Sequence, residues 1–149
     1  MANPFDLKSI VLARHAQHVV LIHFPIALFL AGAAFDFAGR WKRDAALAAA
    51  AYWNLLLAAA STLPVVVTGI LAWRWQLEGA RLKGNLLLHL VLGGVSSVMI
   101  WVVWWLHRRA RGRPQHQVPS RVLPAVEILT AALVGLTAHL GGFLSGVNG

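Results

Sequence analysis

Two histidines lie inside an apolar segment near the start of the chain, in the run HVVLIHFPIALF of residues 18–29. These are His18 and His23, and two further histidines, His89 and His139, lie inside later apolar segments. An ionisable side chain is costly inside a membrane and usually has a function there. Because imidazole nitrogen binds haem iron, zinc and copper, histidines in this setting predict a cofactor or metal site.

The composition predicts an integral membrane protein. Of the 149 residues, 58% are hydrophobic and only 12% are charged, which is too little charge to cover a soluble domain. A spanning helix needs about 20 mainly apolar residues, and four such segments occur. They lie at about residues 18–39, 45–73, 85–107 and 121–144. We therefore expect an all-α fold, an integral membrane four-helix bundle in contact with lipid, as a single domain over residues 1–149.

Cysteine content and charge exclude several classes of protein. The chain has no cysteine, which excludes disulfides, iron–sulfur ligation by thiolates and c-type haem attachment. The net charge is +8, but the basic residues lie mostly between the apolar segments. No soluble surface remains that could bind nucleic acid, so we expect no nucleic-acid partner.

The basic residues also predict an orientation. Four spans place both termini on one side of the membrane, together with the loop between the second and third spans. That side holds five Lys or Arg residues and the opposite side holds eight. Because basic loops stay in the cytoplasm, we expect a multi-pass protein of a bacterial inner membrane with both termini outside.

The deep histidines converge on one depth. His23 lies about five residues into the first span, His89 about four into the third, and His139 about five before the end of the fourth. A helix rises 1.5 Å per residue, so all three lie roughly 6–8 Å below the outer interface. By the same measure, His18 lies at the interface itself.

Each deep histidine has a small residue one helical turn closer to the membrane centre on its own face. These residues are Ala27, Gly93 and Gly135. Small residues beside imidazoles from two helices leave a gap for a flat macrocycle, which predicts haem b. Membrane helices also use small residues to pack closely, and a histidine can simply hydrogen-bond a neighbouring helix.

The spacing favours particular axial pairs, either His23 with His89 or His89 with His139. His18 points about 140° away from His23 on an ideal helix, so we do not expect these two to bind one metal together unless Pro25 kinks the span between them. A second haem at His18 is the weaker alternative. Three basic residues on the outer side could pair with haem propionates or simply extend to the interface. They are Arg14, Arg74 and Arg81.

Two alternatives to haem remain at these histidines. Three imidazoles from His23, His89 and His139 could bind zinc or copper. Against zinc, no carboxylate or thiol lies at that depth, and no H-E-x-x-H motif occurs. The histidines could also form a structural or proton-relay cluster.

Two acidic residues lie inside the apolar segments near the inner side, Asp36 and Glu127. They could mark a proton path. We favour the simpler interpretation that each pairs with a nearby arginine, Asp36 with Arg40 and Glu127 with Arg121.

Several motifs carry a resemblance to a known family. The opening HVVLIHFPIALFLAGAAFDF, then TGILAW, HLVLGG and the closing AHLGGFLSGVNG resemble, in order, the domain-of-unknown-function 2231 family of predicted membrane proteins. The resemblance implies a four-helix membrane domain. Some relatives look as if they are joined to, or encoded with, Rieske-type or cytochrome modules, which implies electron transfer. The family often has an acidic residue after the second span where this chain reads Ala72-Trp73-Arg74, so no role of that acid transfers here.

These observations predict a b-type cytochrome-like subunit rather than a stand-alone enzyme. It would carry electrons between a c-type cytochrome or an iron–sulfur protein outside and the quinone pool or other subunits of a redox complex. The alternative is a non-redox structural or assembly subunit of a larger complex, with packing or metal-binding histidines. A small transporter fits less well, because the histidines lie near one face and no internal repeat occurs.

Overall fold

The computed structural model describes residues 14–111 and 122–145, apart from the side chains of residues 14–16 and 76. Within these residues the chain forms helices joined by short links, and no strand. The helices are α1 (Arg14–Leu21), α2 (His23–Lys42), α3 (Ala45–Gln76), α4 (Gly84–Arg111) and α5 (Val122–Leu144).

Four helical segments are long and apolar enough to cross a membrane. They are Gln17–Lys42, which joins α1 and α2, then Ala45–Trp75, Gly84–Arg111 and Val122–Leu144. The predicted all-α membrane bundle is therefore confirmed. The observed helices extend past several of the predicted ends, because charged residues continue a helix without belonging to its apolar segment.

The first span is interrupted at Ile22, between α1 and α2. Pro25 explains the position, since it has no N–H to donate to the Leu21 carbonyl and its ring crowds that oxygen. The Ile22 N–H still donates to the His18 carbonyl at 3.0 Å, so the two pieces stay nearly continuous. By contrast, α3 remains one helix through Pro64.

A tight corner joins α2 to α3. Arg43 ends α2 in the left-handed region (φ 55°, ψ 41°), and the Asp44 N–H donates to the Gly39 carbonyl at 3.0 Å. The Asp44 carboxylate then accepts from the N–H groups of Ala46 and Leu47, at 2.7 and 3.2 Å. Aspartate is among the best residues at this capping position, so the corner makes α2 and α3 an antiparallel pair.

The core lies where the four spans meet. The most extensive contacts join α2 to α3 and α4 to α5. In addition, α3 packs against α4, and α2 packs against α5. The outward faces carry many exposed apolar side chains, as expected of helices that contact lipid. The buried core cluster consists of Phe29, Leu55, Ala58, Ala59, Ile100, Val103 and Val134.

Gly32 permits a close approach between α2 and α3. A Cβ atom at this position would lie 2.9 Å from Leu55 Cγ and 3.2 Å from the Leu55 backbone nitrogen. The second contact involves backbone, so a rotamer change at Leu55 cannot relieve it. Small residues bring membrane helices together in this way because close packing replaces the hydrophobic driving force.

We expect Gly32→Ala to lower the free energy of unfolding by about 1–3 kcal/mol, because the added methyl group forces α2 and α3 apart. Thermal unfolding of the detergent-purified protein measures the effect. The matched control is Gly135→Ala, where a Cβ meets nothing within 4 Å. A loss of stability no greater at Gly32 than at Gly135 would contradict the close packing described here.

Candidate functional site

A cavity of about 400 Å³ lies between the spans at the predicted outer end of the bundle. Its volume falls in the range of ligand pockets, and like them it is mostly apolar with a few polar groups. All four spans contribute to the wall, including Pro25 from α2 and Gly69 from α3. The imidazole and hydroxyl side chains that line it are His18, Thr62, His89, Ser96, Ser97 and Thr137.

His18 is held against α3 by its Nδ1 nitrogen. Nδ1 lies 3.2 Å from Thr68 Oγ1, and the Thr68 hydroxyl itself lies 2.8 Å from the Pro64 carbonyl, to which it donates. With its single proton donated to Pro64, the Thr68 hydroxyl can accept a hydrogen bond from His18 Nδ1. Gly69 makes the contact close, since a Cβ there would lie 2.9 Å from His18 Cε1.

His89 is held in the same way by α5. Its Nδ1 lies 3.1 Å from the Thr137 carbonyl oxygen, which can only accept, so the proton is on Nδ1 and the lone pair on Nε2. A Cβ at Gly141 would lie 3.2 Å from His89 Cε1. Metal-binding histidines usually donate their second ring N–H to a carbonyl or another acceptor, which fixes the tautomer and the ring orientation.

The other two predicted histidines do not line the cavity. His23 is exposed and its Nδ1 donates to the Val19 carbonyl at 2.7 Å, within its own span. His139 is exposed and its ring packs edge-on against Phe143, with centroids 5.0 Å apart. Where the sequence favoured His23 or His139 beside His89, the structure brings His18 and His89 to one cavity.

The rotation of the first span explains this difference. On an ideal helix, positions 18 and 23 point about 140° apart, and here the break at Ile22 also lies between them. α1 packs against α3, which turns His18 toward the cavity, whereas His23 begins α2 and is exposed. The sequence alone predicts that the two side chains point in different directions, but not which of them faces the bundle interior.

The small residues beside the cavity differ in part from the predicted set. Gly93 lines the cavity as expected, whereas Ala27 and Gly135 are exposed and do not. Other glycines complete the wall. They are Gly69, Gly94 and Gly141.

The predicted arginines lie away from the cavity wall. Arg74 and Arg81 are exposed and are not among its lining residues, which agrees with ordinary placement at the interface. The side chain of Arg14 lies outside the described part of the chain. The positions of Arg74 and Arg81 therefore give no support to the predicted pairing with haem propionates.

A second group of chemically active side chains lies at the opposite end of the bundle. Asp36, His107 and Glu127 come from α2, α4 and α5, and they are 6%, 8% and 0% exposed. His107 Nε2 lies 2.7 Å from Glu127 Oε1, and His107 Nδ1 lies 3.8 Å from Asp36 Oδ1. Asp36 also forms an ion pair with Arg40, one turn later on α2.

This group is the one set of three or more potential metal ligands within 4.8 Å of one another among the residues that the structure describes. The trio considered from the sequence, His23, His89 and His139, does not come together in this way. His23 and His139 are exposed, whereas His89 lines the cavity.

The partners of the two buried acids were partly predictable. The expected pairing of Asp36 with Arg40 is confirmed. Glu127 contacts His107, and its expected partner Arg121 lies outside the described residues. The sequence analysis did not single out His107, the last residue of the predicted third span. Its signal was a stripe at helical spacing, because the buried residues of α4 are Ser96, Ile100, Val103 and His107.

The comparisons with known proteins identify the family. The family model described as "Predicted membrane protein (DUF2231)" matches residues 14–149. The chain belongs to this family. The DUF2231 match covers every helix described above and confirms the resemblance in the sequence motifs. No curated protein and no solved structure matches the chain.

Proposed function

We propose that this DUF2231 protein is a haem-binding electron-transfer subunit, with His18 and His89 as the axial ligands of a b-type haem. One observation carries the proposal: two histidines from different spans line one cavity, each held through Nδ1 by a neighbouring helix. With Nδ1 of each ring turned to a neighbouring helix, Nε2 is the ring nitrogen that would bind iron.

The cavity wall suits a flat, mostly apolar group. Glycines bring backbone close to the space between the helices, and Ile22, Ile26, Leu90 and Val134 supply apolar contacts. When bound, haem would supply a reversible one-electron couple. The chain's own part would be to hold the ring between two imidazoles and to exclude water, which together influence the reduction potential.

The proposed site also suggests partners and an orientation. The excess of basic residues on the opposite side supports a cavity near the outer face of a bacterial inner membrane, with both termini outside. Electrons would then pass between a c-type cytochrome or iron–sulfur protein on that face and the quinone pool or other membrane subunits.

A non-redox structural or assembly subunit is the second candidate. The hydrogen bonds of His18 to α3 and of His89 to α5 join helices, as polar side chains do in many membrane bundles. On this alternative the same contacts serve packing alone, and the cavity would hold lipid or remain apolar space.

The first test is a dithionite-reduced minus oxidised absorption spectrum of the detergent-purified protein, expressed with ample haem. A sharp α-band with about one haem per chain, measured as the pyridine haemochrome, is the expected result. A featureless spectrum from well-folded protein would rule out the cytochrome proposal and favour the structural one. Circular dichroism of the same sample establishes that the helices are formed.

A further inference from the structure

We propose that Asp36, His107 and Glu127 form a binding site for a divalent transition-metal ion such as Zn²⁺. The three side chains belong to the inner ends of α2, α4 and α5, far along the helices from the histidine cavity. Metal binding here is therefore independent of haem binding at the cavity.

Asp36, His107 and Glu127 bring one nitrogen and two oxygen ligand atoms close together. One ligand atom from each residue lies within 4.8 Å of the other two. The 3.8 Å separation of His107 Nδ1 from Asp36 Oδ1 exceeds a hydrogen bond. Zinc binds nitrogen and oxygen at about 2.0–2.2 Å, so a small adjustment would let one ion occupy that separation.

Glu127 gives an independent indication of a missing ligand. It is 0% exposed, yet its Oε2 atom has no hydrogen-bond partner among the described residues. A buried carboxylate oxygen without a partner is costly. An ion shared with Asp36 and His107 would satisfy this carboxylate once Glu127 turns from its contact at His107 Nε2 toward the ion.

The charges also favour a cation. Two buried carboxylates face one imidazole, and Arg40 engages Asp36 through its other oxygen, Oδ2. The Arg40 side chain is 35% exposed, so solvent at the interface screens its charge. A divalent ion would offset the two carboxylates directly. The imidazole favours zinc and other first-row transition metals over magnesium and calcium, which prefer oxygen ligands.

Titration of the chelator-treated, full-length protein with Zn²⁺ tests the site by calorimetry. We expect about one ion per chain. Glu127→Gln and Asp36→Asn should each weaken binding by more than about tenfold, since changes even to outer-shell partners of a metal cost that much. Both variants nearly preserve side-chain volume, and circular dichroism checks that they are folded.

Two comparison variants locate the site. Asp44→Asn removes a carboxylate at the same end of the bundle and still caps α3, so it should bind Zn²⁺ as the unchanged protein does. His89→Ala should also retain Zn²⁺ binding, because His89 lines the cavity at the opposite end of the bundle. Absence of Zn²⁺ binding, or equal affinity in Glu127→Gln, Asp36→Asn and Asp44→Asn, would overturn the proposal and leave the three residues as an internal ion network.

The absorption spectrum of bound Co²⁺ distinguishes direct ligation from a purely structural role of these side chains. Bound in place of Zn²⁺, it should show ligand-field absorption from nitrogen and oxygen ligands. Loss of that absorption in folded Glu127→Gln would support direct ligation. An unchanged spectrum in both Glu127→Gln and Asp36→Asn would place the metal elsewhere and overturn the assignment.

Discussion

His18→Ala and His89→Ala will each reduce haem occupancy by at least about tenfold, whereas His23→Ala and His139→Ala will leave it near one per chain. The expected loss follows the cost of changing the partners of a bound metal. The first two histidines line the cavity, and the other two lie on exposed surfaces. The pyridine haemochrome of each purified variant, normalised to protein, measures the occupancy.

The exposed histidines are the matched controls for this experiment, because each substitution removes one imidazole at the same end of the bundle. They also separate two hypotheses. If His23→Ala lost its haem while His18→Ala kept it, the axial pair favoured by the sequence would be right and the pairing through the cavity wrong. If all four variants kept full occupancy, the haem would bind somewhere else in the protein.

Replacing His107 will cause a large loss of stability. We expect His107→Leu to lower the free energy of unfolding by about 3 kcal/mol, because the buried Glu127 carboxyl group loses its hydrogen-bond partner. That carboxyl group is fully buried, and its Oε1 lies 2.7 Å from His107 Nε2. Chemical or thermal unfolding in detergent, with a chelator present, measures the difference.

The double variant His107→Leu/Glu127→Leu tests the cause. Replacing both members of a buried pair by apolar residues is often neutral or stabilising, so the double variant should regain most of the lost stability. His139→Leu, at an exposed position, should change the free energy by no more than about 0.5 kcal/mol. Additive effects of the His107 and Glu127 substitutions would show that the two side chains are not coupled.

The sequence alone determined the features that depend on local chain chemistry. Apolar segments of about 20 residues can hardly lie anywhere but across a membrane, so the four spans were predictable to within a few residues. Pro25 interrupts the first span through a steric effect on the preceding turn. The ion pair of Asp36 with Arg40 joins residues one turn apart on the same helix, and it too was predictable.

Only the tertiary structure decided which side chains meet. The depth of each histidine follows from its position in a span, but its direction depends on how that helix is rotated against its neighbours. Contacts such as Gly32 with Leu55 set that rotation for the first pair of spans. The contact of His107 with Glu127 joins two helices, and no local signal specifies it. The residue pattern of one helix can indicate its buried face, but packing between the helices decides which side chains of two helices meet.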